Sequence, residues 1–260
     1  MTNTIQFTHA DGIAVLTFNR PAQRNALDTA AMIAFAERIA QIAADAAQHD
    51  LFRALIITGA GTNAFCSGAD LVEMSGKPSA ADGLAMSARM GDALMILEAL
   101  PFPTIAAING YALGGGAEVA LACDLRIIDA AARIGFVQAR RGLTPGWGGG
   151  QRLLRLVGYP RALEILLEAR ILDADTAHTA GLVERIAPAG GALDAARAFA
   201  AEIAQRDPAV VRSIKTLLRA GWMQPYPQAL MSERALFPPL WAGDARKAAT
   251  QSFLEKSDKS

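Results

Sequence analysis

Apolar positions along the chain change their spacing several times, and each change predicts an element. Thr4 to Thr8 alternates weakly, and Ile13-Ala14-Val15-Leu16-Thr17-Phe18 reads as a strand. Asp11-Gly12 lies between these runs, and Asp-Gly in that setting predicts a tight hairpin. Asn19-Arg20-Pro21 closes the pair. Asp28 or Thr29 is placed to cap a helix whose apolar face reads Met32, Phe35, Ile39 and Ile42. Arg53 to Thr58 reads as a buried strand. Ala69-Asp70-Leu71 starts a short helix, and Ser75 to Gly83 is a small-residue polar loop. A longer helix with Met90, Leu94 and Leu97 on one face ends before Pro101 and Pro103. Met86, Met90 and Met95 read as core or pocket lining.

The stretch from Ile105 to Gln138 organises the rest. An apolar run, Thr104 to Ile108, meets Asn109-Gly110-Tyr111-Ala112-Leu113 and then Gly114-Gly115-Gly116-Ala117-Glu118. A second apolar run, Leu121 to Ile128, follows. The reading is strand, glycine turn, helix N-terminus, strand. Further on, Gly142-Leu143-Thr144-Pro145-Gly146 is a turn, and Trp147-Gly148-Gly149-Gly150 opens a second glycine-rich helix start. Helices continue through Arg161–Leu167 and Ala174–Ala180, and Val183–Ile186 reads as a last short strand. From Ala192 onward every apolar pattern has helical spacing, broken near Asp207-Pro208 and Pro225–Pro227. Strands alternating with helices and then an all-helical tail imply an α/β body, residues 1–190, with a helical region, residues 191–260. The tail's Leu236, Phe237, Leu240, Trp241 and Phe253 need a surface to pack on, and a neighbouring subunit would supply one.

Composition narrows the possibilities. The 260 residues are 52% hydrophobic and 19% charged, enough for a large core. Lys+Arg and Asp+Glu are both 25, so a uniformly basic nucleic-acid surface is not expected. Two cysteines, Cys66 and Cys123, make neither a disulfide framework nor a zinc site. No basic-then-apolar segment opens the chain, and no run of eighteen apolar residues occurs. The expectation is a cytoplasmic protein with no membrane span, no metal and no nucleic-acid partner.

Three successive glycines point to chemistry, because glycine costs backbone entropy and is kept where the chain needs positive φ or a close approach. A glycine turn opening a helix leaves N–H groups outward at the positive end of the helix dipole. Such groups bind an anion, or a carbonyl oxygen that becomes one during reaction. Glu118, in the first helical turn, reads either as an acid complementing that dipole or as a catalytic carboxylate. Gly59-Ala60-Gly61-Thr62-Asn63-Ala64 formally matches a dinucleotide fingerprint. No helix is expected to open there, because Phe65-Cys66-Ser67-Gly68 continues irregularly, so the match is rejected.

Five motifs in order make the chain resemble the crotonase family, also called the enoyl-CoA hydratase/isomerase family. They are Asn19-Arg20-Pro21 to Asn25-Ala26-Leu27, Phe65 to Leu71, Asn109 to Glu118, Pro145-Gly146-Trp147-Gly148-Gly149 to Gln151-Arg152-Leu153, and Ala180-Gly181-Leu182-Val183. The resemblance implies a crotonase-type α/β spiral of ββα units with a helical C-terminal trimerisation region, assembled as homotrimers or hexamers. It implies an acyl-CoA thioester substrate and no cofactor beyond that coenzyme A. By motif position, the Ala69 and Gly115 N–H groups would hold the thioester oxygen. Arg24, Ala26, Ser67, Asp70, Leu71, Gly114 and Trp147 would line the substrate and CoA site. Phe253 and Lys256 match the family's CoA-contacting tail.

The pattern departs at one position that matters. Family hydratases hold one water with two glutamates; Glu118 matches the first, and Gln138 stands where the second belongs. Glutamine hydrogen-bonds but does not exchange protons near neutral pH, and losing a positioned acid or base typically costs about 10²–10⁴-fold in rate. Arg140, Arg141 and Trp147 also depart from common family residues. The Gly142 to Gly149 segment looks similar to the branch that decarboxylates alkylmalonyl-CoA. The expected function is therefore an enoyl-CoA hydratase- or isomerase-like enzyme, with alkylmalonyl-CoA decarboxylation as the alternative. A non-catalytic acyl-CoA-binding protein is the alternative of another class. A serine hydrolase built on Ser67 is disfavoured: the motif context is missing, and the histidines are His9, His49 and His178. Cys66 reads as an inert buried thiol.

Overall fold

The computed structural model describes residues 4–257, with side chains as far as Glu255. The chain divides into two compact units, Met1–Ala201 and Glu202–Ser260. In chain order the strands are β1 (Ile5–Ala10), β2 (Ile13–Phe18), β3 (Ala54–Gly59), β4 (Ala64–Cys66), β5 (Thr104–Ile108), β6 (Tyr111–Leu113), β7 (Leu125–Asp129), β8 (Arg133–Gly135), β9 (Ile171–Asp173) and β10 (Arg185–Ala187). The helices of the first unit are α1 (Thr29–Gln48), α2 (Leu71–Met74), α3 (Ala80–Ala99), α4 (Gly115–Ala122), α5 (Gly149–Val157), α6 (Tyr159–Glu168), α7 (Ala174–Thr179) and most of α8 (Ala192–Ala204).

The hairpin forms as its turn chemistry requires: Asp11 and Gly12 both take positive φ, and β1 pairs antiparallel with β2 from Ile5 opposite Phe18 to Ala10 opposite Ile13. From β2 onward the first sheet is parallel, in the order β1-β2-β3-β5-β7-β10. Alternation along these strands splits the core into two layers. Leu16, Leu55, Ile57, Ala106 and Ile108 pack in the cluster that holds Met32, Phe35, Ile39, Met90, Leu94 and Leu97 of α1 and α3. Val15, Ala54, Ile56, Ile105 and Ala107 pack in the second cluster, with Ala192, Ala196 and Ala200 of α8. Asp28 caps α1 by accepting the Ala31 N–H at 2.8 Å.

The second sheet, β4-β6-β8-β9, is made of three-residue strands. Each pair β3–β4, β5–β6 and β7–β8 sends its longer strand to the first sheet and its short strand to the second. The chain then turns into a helix or a 3₁₀ turn. This is a spiral of ββα units, and each turn of it delivers one loop to the same end of the unit.

Several sequence expectations need correction. The segment at Phe65–Cys66 is not irregular throughout, because β4 pairs there with β6. The Ser75–Gly83 loop ends early: Ser79 and Asp82 form a reciprocal capping box and α3 starts at Ala80. The apolar run from Leu121 belongs to α4 as far as Ala122, and β7 starts only at Leu125. The last strand lies at Arg185–Ala187, two residues beyond the expected start. Met95 is exposed rather than core.

In the second unit α9 (Pro208–Met223) and α10 (Tyr226–Ala242) are followed by α11 (Asp244–Ser257). Pro208 and Pro227 sit in first helical turns, where a missing N–H costs nothing. Leu218, Trp222, Met231, Phe237 and Trp241 are exposed. Among the described residues no helix is long and apolar enough to cross a membrane.

Candidate active site

Three loops build the site, one from each turn of the spiral. The first is Ser67-Gly68-Ala69-Asp70, between β4 and α2. Gly68 takes φ 91° and lies so near the start of α4 that a Cβ there would come within 2.9 Å of Gly115 N. Leu27 N donates to Gly68 O at 2.8 Å and Asp70 N donates to Leu27 O at 2.8 Å, which pins the loop on both sides of Ala69 and leaves the Ala69 N–H out of that bridge. The second loop is the glycine turn before α4. Gly115 is the first residue of that helix, where an N–H lacks an intrahelical partner. The amide segments of residues 68–69 and 115 are thus neighbours.

The third loop runs from the 3₁₀ helix Gln138–Arg141 through Pro145 and Trp147 to the start of α5. Its main chain converges on Glu118. The carboxylate is 2% exposed and accepts four N–H groups: Gln138 Nε2 at 3.0 Å and Gly146 N at 3.3 Å on Oε1, and Trp147 N and Gly149 N at 2.8 Å each on Oε2. Burial pushes the Glu118 carboxyl above the ordinary glutamate range, against the pull of the Gly149, Trp147 and Gly146 amides and of Gln138. Glycine is required at 149 for space, since a Cβ would sit 2.4 Å from Glu118 Cγ. Trp147 is 3% exposed and its ring lies against Gly115, where a Cβ would be 2.2 Å from Cζ3. It is therefore a wall of the site, the indole pressed on the residue that carries one of the amides.

The structure brings Glu118, Gln138, Gly114, Gly115 and Trp147 together, and it places Ala69 and Ser67 on the adjoining loop. Arg24 is exposed beside them, its carbonyl accepting the Ser67 N–H at 3.2 Å. Ala26 is buried in the same strip, and Leu71 is exposed on α2. Asp70 is engaged within the protein: it caps α2 and pairs with Arg20 at 3.1 Å. Phe253 is exposed on α11 in the second unit, and Lys256 lies outside the residues whose side chains are described. Arg140 and Arg141 are exposed. His9 and His178 bond the carbonyls of Leu51 and Val183 rather than any of these site residues. Cys66 is fully buried, its thiol pushed up to about 12 by desolvation. A cavity of about 420 Å³ between α6, β9 and α7 is lined by none of the site residues.

Sequence reasoning missed the residues that hold the loops. Arg20 bridges Asp28 at 2.9 Å and Asp70 at 3.1 Å. Buried Asn25 donates to the carbonyls of Ala60 and Ala64 and accepts from Arg20 N. Asn109 clamps Gly59 and Gly61, which explains why no nucleotide loop opens there. Arg152 holds the Trp147 carbonyl at 2.7 Å while pairing twice with Glu98 of α3, at 2.9 and 3.0 Å. The motifs contained Arg20, Asn25, Asn109 and Arg152, and even Asp70 and Trp147, but not which of them pair.

Comparison with known proteins places this geometry in context. The family model described as Enoyl-CoA hydratase/isomerase matches residues 8–260. The chain belongs to that family. It is 36% identical over 241 residues to the ethylmalonyl-CoA decarboxylase of Gallus gallus, covering 92% of this chain and 79% of that protein. It is 35% identical over 244 residues to the short-chain-enoyl-CoA hydratase of Clostridium acetobutylicum, covering 94% and 92% of the two chains. The crystal structure of enoyl-CoA hydratase from Bacillus anthracis superposes with a TM-score of 0.90 at 34% identity, covering 98% and 97% of the two chains. As a member of the enoyl-CoA hydratase/isomerase family, the chain has the fold and enzyme class its motifs predicted.

Proposed function

We propose that this enzyme adds water to a 2-enoyl-CoA, with the thioester oxygen held by the Ala69 and Gly115 N–H groups and Glu118 as the sole proton carrier. The observation that supports this most directly is the buried Glu118 carboxylate one turn into the helix that Gly115 opens, with the Ala69 loop against that same residue. Attack of water on the β-carbon drives charge onto the thioester oxygen. Two preorganised amides stabilise it, and losing one such donor typically costs about 2.7–4 kcal/mol of barrier. The proton released by water passes to Glu118 and from there to the α-carbon, so the balance closes with one carboxylate. Gln138 orients without exchanging protons. Substrate CoA lies along Arg24, Ala26, Ser67, Asp70 and Leu71, and the residue 191–260 region brings Phe253 and Lys256 to CoA in a homotrimer or hexamer. The chemistry needs no cofactor beyond the coenzyme A of the substrate, and a cytoplasmic setting suits it.

Decarboxylation of an alkylmalonyl-CoA is the second reading. Gln138 and the Trp147–Gly115 contact favour it: enolate formation by loss of CO₂ uses the same amides and afterwards needs one proton delivery. An assay of crotonyl-CoA, a 3-enoyl-CoA, methylmalonyl-CoA and ethylmalonyl-CoA with wild type and Glu118→Ala decides between them. Hydration of crotonyl-CoA, lost in Glu118→Ala, is expected. CO₂ release from ethylmalonyl-CoA without crotonyl-CoA hydration would establish the second reading, and no turnover of any of the four would remove both.

A further inference from the structure

The Glu118 carboxylate has no free lone pair in the arrangement observed. A carboxylate offers about four acceptor positions, and four N–H donors occupy them. To take a proton the group must release a donor. Gly146, Trp147 and Gly149 give main-chain donors, and Gly149 is packed hard against the Glu118 side chain. Gln138 Nε2 is the donor on a rotatable side chain, and the last torsion of glutamine is soft. Oε1 is also the oxygen better able to change, because one of its two bonds is the 3.3 Å contact from Gly146, whereas both bonds to Oε2 are 2.8 Å.

The other half of the same amide is unusual. Gln138 Oε1 is buried and meets no donor among the described residues, although a buried acceptor without a partner typically costs about 1–3 kcal/mol. The opposite assignment of the amide would face its oxygen toward a carboxylate oxygen, which is repulsive while Glu118 is charged. One side chain therefore presents a donor bound to Glu118 and an acceptor that no described residue engages, and a half-turn exchanges them.

From this juxtaposition we infer that the Gln138 amide is a proton-coupled switch: Nε2 donates to Glu118 Oε1 when Glu118 is a carboxylate, and after a half-turn Oε1 accepts the Glu118 O–H when it is a carboxylic acid. The inference deepens the reading of Glu118 as the proton carrier and rests on it for the proton's route in turnover. The proton enters at Glu118 Oε1, is held against Gln138 Oε1, and leaves for the substrate α-carbon, after which the amide turns back. Gln138 stays neutral throughout. It is a positioning residue that supports both forms of its neighbour. Around it, Arg152 is paired with Glu98, Arg140 and Arg141 on the 3₁₀ helix point to solvent, and the Cys66 thiol of β4 stays protonated. Glu118 is the carboxyl in this cluster that burial raises.

The test uses the full-length, substrate-free protein with the glutamine side-chain carbonyls labelled with ¹³C. Infrared difference spectra are taken as pH crosses the Glu118 titration, which Glu118→Ala identifies. Gln138→Met and Gln138→Glu, as alternative substitutions, assign the Gln138 band. A Gln138 carbonyl band that moves to lower wavenumber as the Glu118 carboxylic-acid band grows is expected, because the carbonyl then accepts the O–H. A band that stays fixed, or that moves to higher wavenumber as it would for a permanent donor whose N–H loses its charged acceptor, overturns the switch. In Gln138→Met both forms of Glu118 lose a partner, so the titration midpoint should barely move while kcat falls about tenfold or more. A midpoint that rises instead identifies a fixed donor. Because the spectra need no substrate, failure of every acyl-CoA to turn over would sink the proposed function and leave the switch standing, and an unmoved band with normal turnover would do the reverse.

Discussion

Glu118 shows how one side chain is shaped by opposing forces. Desolvation favours its neutral form and four donors favour its anion, with desolvation the larger effect. If the anion is the base, kcat/KM falls as pH drops through a value above the ordinary glutamate range, and a pH–rate profile reads this directly. Glu118→Gln should lower kcat by about 10²–10⁴-fold. The same variant should lower the melting temperature, because an amide nitrogen would face main-chain N–H groups. Gly115 and Trp147 are coupled by contact: a Cβ at 115 would collide with the indole ring. Gly115→Ala should therefore abolish activity, and Trp147→Ala in the same chain should restore part of it. By itself Trp147→Ala should cost about 3–5 kcal/mol in urea denaturation, the usual loss for a large buried aromatic.

At the scale of elements, α2 is held to the start of α1 by Glu73, which accepts from Thr29 N at 2.8 Å and from Thr29 Oγ1 at 2.6 Å and pairs with Lys77 at 2.5 Å. These contacts lower the Glu73 carboxyl from 4.5 to about 2, the Lys77 hydrogen bond first among them. A lowered acid stabilises the fold above its unfolded value and loses that contribution as pH falls toward the folded one. Acid unfolding between about pH 4.5 and 2 should accordingly be weaker in Glu73→Gln than in wild type, seen as a smaller change in melting temperature over that window. Strand β4 makes a separate prediction. Cys66 and Cys123 are both buried, and the Cys66 thiol stands near 12. Iodoacetamide at pH 8 should label neither until the protein is denatured, as intact mass spectrometry would record. Long elements such as α1 and β3 were legible because their apolar spacing repeats over several turns or pairs. The second sheet was not, because three residues cannot display a period. The glycine turns were legible as candidate chemistry, yet the braces Arg20–Asp70 and Arg152–Glu98 join residues about fifty positions apart, and no local pattern announces such pairs.

At the scale of the whole molecule, the exposed Leu218, Trp222, Met231, Phe237 and Trp241 fit helices that meet other copies of the chain. Light scattering on the purified protein should give a trimer or hexamer mass, and a monomer would remove the assembly from the proposal. The family's fold was readable end to end from five short motifs. The reaction was not, because it turns on the atoms surrounding one carboxylate. The crowding at residues 115, 116 and 149, where an added methyl would strike Trp147, the Cys66 carbonyl or Glu118, bears on how such a catalyst changes over time. Parts made of peptide backbone and boxed in on every side offer selection nothing to vary. Novelty has to enter through exchangeable neighbours such as positions 138 and 147, so an engineer seeking a new reaction would begin there and leave the glycines alone.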